Sequence, residues 1–264
     1  MVKSKPSNLV QTIERVSNIL DLVAQSSQGV SIRDLSDALK LPKGTVHRLL
    51  LSLSYFGYIK QDIKTKKYLL GLKLLELGNL IINQLDLRKL AEPLLKDLVE
   101  STKETVHMVI VDNNEVVYID KIETEQSTGG LKMSSMVGSR NPAHCSAVGK
   151  VLLSYFSDEE IDNLIQEKGL TRKTSHTIID PLQLKEQLPI IRSQGYAIDD
   201  EENEIGIRCV AAPIFNDKGK AVSAISLSGP AFRVTKKLIQ DSLKKEVIET
   251  ALEISKRLGF KAGH

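Results

Sequence analysis

The stretch KGTVHRLLLSLSYFG, residues 43–57, sorts its side chains into two kinds. Wound as a helix at about 100° per residue, it gathers Val46, Leu49, Leu50 and Leu53 on one side and turns Arg48, Ser52 and Tyr55 to the other. Gly44 and Thr45 stand at the N-terminal edge of the outward side. Such a face suits the major groove of DNA. Small residues let the backbone approach, an arginine forks onto guanine, and short hydroxyls reach phosphate or base edges. Lys43, Gly44, Thr45, His47, Arg48 and Ser52 are therefore the candidate contacts of this helix. Leu51 also faces outward, toward a thymine methyl or a neighbouring helix. Beyond the helix, Lys64, Lys66 and Lys67 crowd one turn, where they would grip phosphates without regard to sequence.

A second set of residues points to ligand binding. In HCSAVGK, residues 144–150, Ser146 and Gly149 open a helix whose first amides are free to face an anion, although a helix start needs a cap in any case. In AISLSG, Ser226 and Ser228 share one face of a strand, and Ile225 and Leu227 take the other. Asp199, Asp200, Arg208 and Cys209 lie close together in the chain, and on sequence alone the acids read as solvated loop charges. Enzymatic signatures are absent: there is no GxSxG and no HExxH, and adjacent residues such as His144 and Cys145 point away from each other. No catalytic residue is expected. His107, His144, Cys145 and Cys209 are the conceivable metal ligands, but inert buried thiols are the expectation, with no metal and no cofactor.

Charge is unevenly spread. The net charge is +3, yet residues 1–70 carry 11 basic against 5 acidic side chains and the rest 25 against 28, so a basic head of +6 sits on a body of −3. A head of that sign meets a polyanion. With 41% apolar and 4% aromatic residues, 264 residues can bury an aliphatic core and are enough for two domains. Two separate cysteines exclude a zinc ribbon and a disulfide framework. No apolar signal segment follows the charged start, and Lys73 and Glu76 interrupt the greasiest stretch, so a soluble, cytoplasmic protein is expected.

Periodicity predicts helices over 9–25, from the Ser31 cap to about Leu39, and from about Pro42, at the first turn, to Phe56, then a Lys-rich hairpin over 58–70. Helical pattern resumes over 69–98, with Pro93 near the start of a further helix. Two hairpins follow, turning at Asp112–Asn114 and Asn216–Gly219. Helices are expected between them near 145–155, 157–168 and 180–194, the last kinked at Pro189, and a long helix over 234–258 closes the chain. Antiparallel hairpins separated by helices indicate an α+β sandwich.

SIRDLSDALKLPKGTVHRLLLSLSYFGYIKQD and KKYLLGLKLLELG resemble the DNA-binding head of the isocitrate lyase regulator (IclR) family of bacterial transcription factors. NPAHCSAVGKVLLSYF and GYAIDDEENEIGIRCVAAPIFNDKGKAVSAISLSGPAFRVT resemble its effector-binding domain. The resemblance implies a winged helix-turn-helix domain over 1–72, a linker and dimerisation helix over 73–90, and a GAF/PAS-like α/β effector-binding domain with an antiparallel sheet over 91–264. It further implies a pocket lined by Ala147, Val148, Asp199, Ile207, Cys209, Ser226 and Ser228, with Leu131 and Asn141 as wall. The expected protein is a ligand-responsive regulator, a repressor by preference, working as a homodimer or homotetramer on operator DNA under control of a small, carboxylate-bearing metabolite. The alternative is a sensor or protein-docking module that does not bind DNA.

Overall fold

The computed structural model describes residues 8–84, 86–123 and 133–261, the side chains of 82–84 excepted. These form two compact units, Met1–Leu85 and Asp86–His264.

The first unit is built from α1 (Gln11–Ala24), α2 (Ile32–Leu39), α3 (Lys43–Tyr55), the hairpin β1 (Ile59–Gln61) and β2 (Tyr68–Leu70), and α4 (Leu72–Gln84). Ser31 and Asp34 form the capping box that starts α2: each side chain accepts from the other's backbone N–H. Pro42 takes the cap of α3, one position ahead of the first turn where the sequence suggested it. Ile19 and Val23 of α1, Leu35 of α2 and Val46, Leu50 and Leu53 of α3 close on Ile59 and Tyr68 of the hairpin as one apolar core. The hairpin is held to the helices by reciprocal backbone bonds between Val30 and Tyr68 (3.0 and 2.9 Å).

The second unit begins with α5 (Asp86–Thr102). Its sheet comprises β3 (Thr105–Asp112), β4 (Glu115–Ile122), β5 (Arg140–Pro142), β6 (Ala197–Asp200), β7 (Ile207–Phe215) and β8 (Ala221–Pro230), in the order β5-β4-β3-β8-β7-β6 and antiparallel throughout. The β3–β4 turn is made by Asn113 and Asn114, both at positive φ (50° and 64°), as a two-residue hairpin of matching twist requires. A 3₁₀ turn at Ala143–Cys145 leads into α6 (Ala147–Leu153), followed by α7 (Asp158–Lys168) and α8 (Pro181–Gln194). These helices bury one sheet face in a cluster containing Val109, Ala211 and Ala224. α5 packs against β3 and β4 and meets the closing helix, which itself lies on β7 and β8.

Three expectations need correction. Pro93 lies inside α5, not near its start: burial of Ala91, Leu95, Leu98 and Val99 along one stripe outweighs the one backbone bond that proline removes. The closing helix is unbroken, as expected, but it is not α-helical throughout. It comprises α9 (Lys236–Leu238), a π turn at Ile239–Leu243 and α10 (Lys244–Arg257). Ile239, Leu243 and Val247 are all buried at intervals of four, and an α-helix drifts by about 40° over each such interval; a wider turn removes that drift. Finally, the segment carrying Asp199 is an edge strand, β6, and not a solvated loop.

Gly149 shows how tightly α6 is seated. A Cβ added there would lie 2.1 Å from the Ala143 carbonyl oxygen, a backbone atom that cannot step aside. Gly149→Ala should therefore destabilise the protein by about 1–3 kcal/mol, read as a lowered urea midpoint with an unchanged slope.

Candidate nucleic-acid interface and ligand cavity

In the first unit, α3 presents the face that its spacing predicts. Gly44, His47, Arg48, Leu51 and Ser52 are exposed, Tyr55 is 85% exposed and Thr45 is half-buried. Ser52 is not wholly free, because its hydroxyl donates to the Arg48 carbonyl oxygen one turn back (3.1 Å). Lys43, Gly44 and His47 form one wall of a groove of about 600 Å³. Lys66 and Thr65 of the hairpin turn and Ser31 and Arg33 at the start of α2 supply the others. The turn is built around Asp62. Its carboxylate accepts from Lys64 N (3.0 Å) and from both the amide and the hydroxyl of Thr65 (2.7 and 2.9 Å), and these bonds with Thr65 hold it below the usual carboxylate range. Lys66 is thereby set at φ 58°. Lys64 and Lys66 are exposed, whereas Lys67 is half-buried on the side of Asp34. Three cations, Arg33, Lys43 and Lys66, thus border one concave surface beside Arg48, a geometry that accepts a phosphate backbone and leaves the arginine for base edges. Arg33 and Thr65 were not singled out from the sequence, and Ser31 only as a helix cap, because the contacts between α2 and the hairpin are non-local.

In the second unit, seven of the nine residues taken for the pocket line one small cavity of about 30 Å³. They are Ser226 and Ser228 on β8, Ile207 and Cys209 on β7, Asp199 on β6, and Ala147 and Val148 at the start of α6. Asn141 stands behind the wall, donating from Nδ2 to the Tyr118 hydroxyl (3.2 Å). Leu131 lies outside the described residues. Of the amides opening α6, that of Gly149 is already taken by Ser146 Oγ (3.1 Å), which leaves fewer of them for an anion than the sequence implied.

The cavity also contains residues that sequence reasoning missed as lining: Tyr118, Ser134, Ser135, Asn203, Glu204 and, in a new role, His107. His107 pairs with Ser226 across β3 and β8. Its Nε2 lies 2.8 Å from Ser135 Oγ and its Nδ1 3.3 Å from Ser228 Oγ. Burial, aided by the Lys121 charge, lowers its pKa to about 3, so the ring is a neutral donor–acceptor across the physiological range. The Tyr118 phenol, packed edge-to-face on that ring at 5.3 Å, is pushed up to about 12 by burial. Asp199 is pushed up to about 7, first by burial and then by the nearby Glu202 carboxylate. One of its oxygens accepts from the Glu202 and Asn203 amides (2.7 and 3.3 Å). No lysine or arginine borders the cavity among the described residues. An anion held here would rest on hydroxyls, amides, the neutral imidazole and the proton of Asp199.

Both thiols are held toward their neutral form. Cys145 donates to the Pro142 carbonyl (3.7 Å) and to Asn203 Oδ1 (3.8 Å), and burial drives its pKa up to about 12; Cys209 is raised as well, chiefly by burial. His144 turns its Nε2 to the Thr171 carbonyl (3.1 Å), away from any thiol. Among the described residues, no group of three or more His, Cys, Asp or Glu is placed to hold a metal, and no helix is long and apolar enough to cross a membrane.

Two family models match the chain: the IclR helix-turn-helix domain over residues 12–62, and the bacterial transcriptional regulator IclR C-terminal domain over residues 79–256. The chain is 36% identical over 254 residues to the HTH-type transcriptional regulator XynR of Escherichia coli, covering 96% of this chain and 99% of that protein. It is 33% identical to the transcriptional repressor IclR of the same organism, covering 95% and 90%. Among solved structures, IclR of Thermotoga maritima superposes with a TM-score of 0.75 at 34% identity, covering 95% of this chain and 99% of the other.

Asp199 sets a pH dependence of stability. In the unfolded chain it titrates near 3.8, and in the folded protein near 7, so the native state holds a proton that the unfolded state has lost between those values. Its contribution is greatest below about pH 4, falls as pH rises to about 7, at a rate of at most about 1.4 kcal/mol per unit, and is flat above. Asp199→Asn should lack that slope, so that the wild-type stability advantage over the variant, followed by urea unfolding, falls with rising pH across this window.

Proposed function

The chain belongs to the IclR family of bacterial transcriptional regulators, ligand-responsive DNA-binding proteins, and on that premise we propose the following residue roles. α3 enters the major groove with Arg48 on a guanine; Gly44 allows close approach, and Thr45, His47 and Ser52 complete the reading face. Arg33, Lys43, Lys64, Lys66 and Lys67 hold the flanking phosphates. The observation that carries this reading is the position of Arg48: it projects from the side of α3 opposite buried Val46, Leu50 and Leu53, on the helix whose Lys43, Gly44 and His47 wall a groove bordered by cations. The relatives XynR and IclR are named as transcriptional regulators, which supports this reading over a docking module without DNA.

The cavity of the second unit is the effector site. The ligand is a small organic acid whose carboxylate accepts from the Ala147 and Val148 amides, from Ser226 and Ser228, and from protonated Asp199. Because the free space is about 30 Å³, roughly the share of one water in the liquid, the ligand enters by displacing lining groups, and its binding favours a different arrangement of the domain. Operator affinity then changes by the difference in ligand affinity between the two arrangements, and repression is the sense we assign, after the relatives named as repressors. Leu72, Leu75, Leu80 and Ile81 are exposed along α4, and two copies of this chain cover them as a homodimer, or as a dimer of dimers, so that two heads meet two half-sites in the cytoplasm.

Selection of fragments from the source genome on the purified protein, at low and at raised salt, tests the reading. A few upstream fragments should survive the higher salt; uniform loss of all fragments would overturn it. On a selected fragment, Arg48→Ala should cost about 1–3 kcal/mol and relax the preference at one base pair, whereas Lys66→Ala should weaken every sequence alike and flatten the salt dependence.

A further inference from the structure

Successive residues of β6 point to opposite sides, and the two sides open onto different hollows. Asp199 borders the effector cavity. Ile198 and Asp200 border a second hollow of about 410 Å³, within the size range of small-molecule sites. Its charged lining is Lys150, Glu202, Asp200 and Lys236. Lys236 pairs with Asp200 at 2.5 Å, and Lys150 pairs closely with Glu202.

The second of these pairs is unusual. The Lys150 and Glu202 side chains are only 2% and 8% exposed. Glu202 Oε2 is buried and has no hydrogen-bond partner among the described residues. The Lys150 ammonium carries three N–H groups, and among the described residues it donates to Glu202 Oε1 alone. A desolvated ion pair with an acceptor and donors left over is costly unless another molecule meets them. The fit to that molecule is specified by three features. The four lining charges sum to zero, so a ligand of zero net charge leaves nothing unbalanced in a low-dielectric site. Glu202 Oε2 calls for a charged N–H donor and Lys150 for an anionic acceptor. Beside them Ile190, Ile191 and Tyr196 offer an apolar wall.

We propose that this hollow binds a free α-amino acid, with its ammonium on Glu202 Oε2, its carboxylate on Lys150 Nζ and an aliphatic side chain along Ile190, Ile191 and Tyr196. The site is separate from the effector cavity but adjoins it, because the Glu202 backbone N–H donates to Asp199 (2.7 Å). It gives the regulator a second input.

The test uses the full chain and the proteinogenic L-amino acids, singly, at millimolar concentration, read by thermal shift and by saturation-transfer NMR. An aliphatic member should raise the melting temperature and receive saturation. Both effects should weaken by at least about tenfold in apparent Kd in Ile190→Trp, which fills the hollow from an exposed position, and in Glu202→Gln. They should persist in Ser134→Trp, which blocks the effector cavity from its exposed rim. The proposal is overturned if no amino acid produces either signal, or if the signal is lost in Ser134→Trp and kept in Ile190→Trp. The second result would identify the amino acid as an occupant of the effector cavity and would leave the reading of that cavity intact.

Discussion

A lysine ammonium withdrawn from water has to meet a carboxylate, and the ligand-binding unit is arranged around the place where Lys150 meets Glu202. Lys150 lies on α6, whose opening residues Ala147 and Val148 line the cavity proposed for the effector; Glu202 lies in the turn between β6 and β7, which also carries Asn203 and Glu204. The ion pair therefore joins two segments that border that cavity. Removing either partner would strand the other charge in a dry interior, a penalty of about 3–5 kcal/mol. The same turn raises the pKa of Asp199, since the Glu202 carboxylate is the second cause of its shift after burial. Close packing completes the arrangement: without a side chain at Gly149, α6 lies directly against the Ala143 backbone.

Burial around this point produces neutral groups that still form hydrogen bonds. The His107 imidazole, the Tyr118 phenol and both thiols are each driven toward their uncharged forms by desolvation, and Asp199 is brought close to half-protonated at neutral pH. A cavity without a fixed cation can then hold an anion through many weak donors, each able to reorient. Catalysis would need an activated nucleophile, and the thiols are held in the opposite state.

The head uses its polar residues in a different way. Its apolar core, aliphatic but for Tyr68, closes within the three helices and the hairpin, so the remaining face of α3 is available to a partner. Asp62 spends its carboxylate on shaping the hairpin turn, and the capping box does the same for α2. Acidic groups are thereby kept occupied near the groove while the cations face outward, which preserves the positive field that a phosphate backbone requires.

The head was almost entirely legible in the sequence, and so were both long hairpins, because their signals are local. The leucine spacing of α3, the Ser31–Asp34 cap, the asparagines after Asp112 and the Asn216–Gly219 turn each specify backbone geometry within a few residues. The alternation of Ser226 and Ser228 against Ile225 and Leu227 was equally plain, although what each face met was not. The exceptions, Pro93 within α5 and the π turn, are places where packing of a buried stripe overrode a local preference. Tertiary structure decided the rest. His107 and Ser228 are 121 residues apart and touch because β3 and β8 pair in one register, and a shift of one residue would turn every one of these side chains to the other face. Asp199 and Glu202, in a run of acids that resembles exposed loop, are buried because β6 is the edge strand on which α6 closes. No local pattern distinguishes a carboxylate bound for solvent from one bound for a buried lysine; the difference lies in which distant segment arrives beside it.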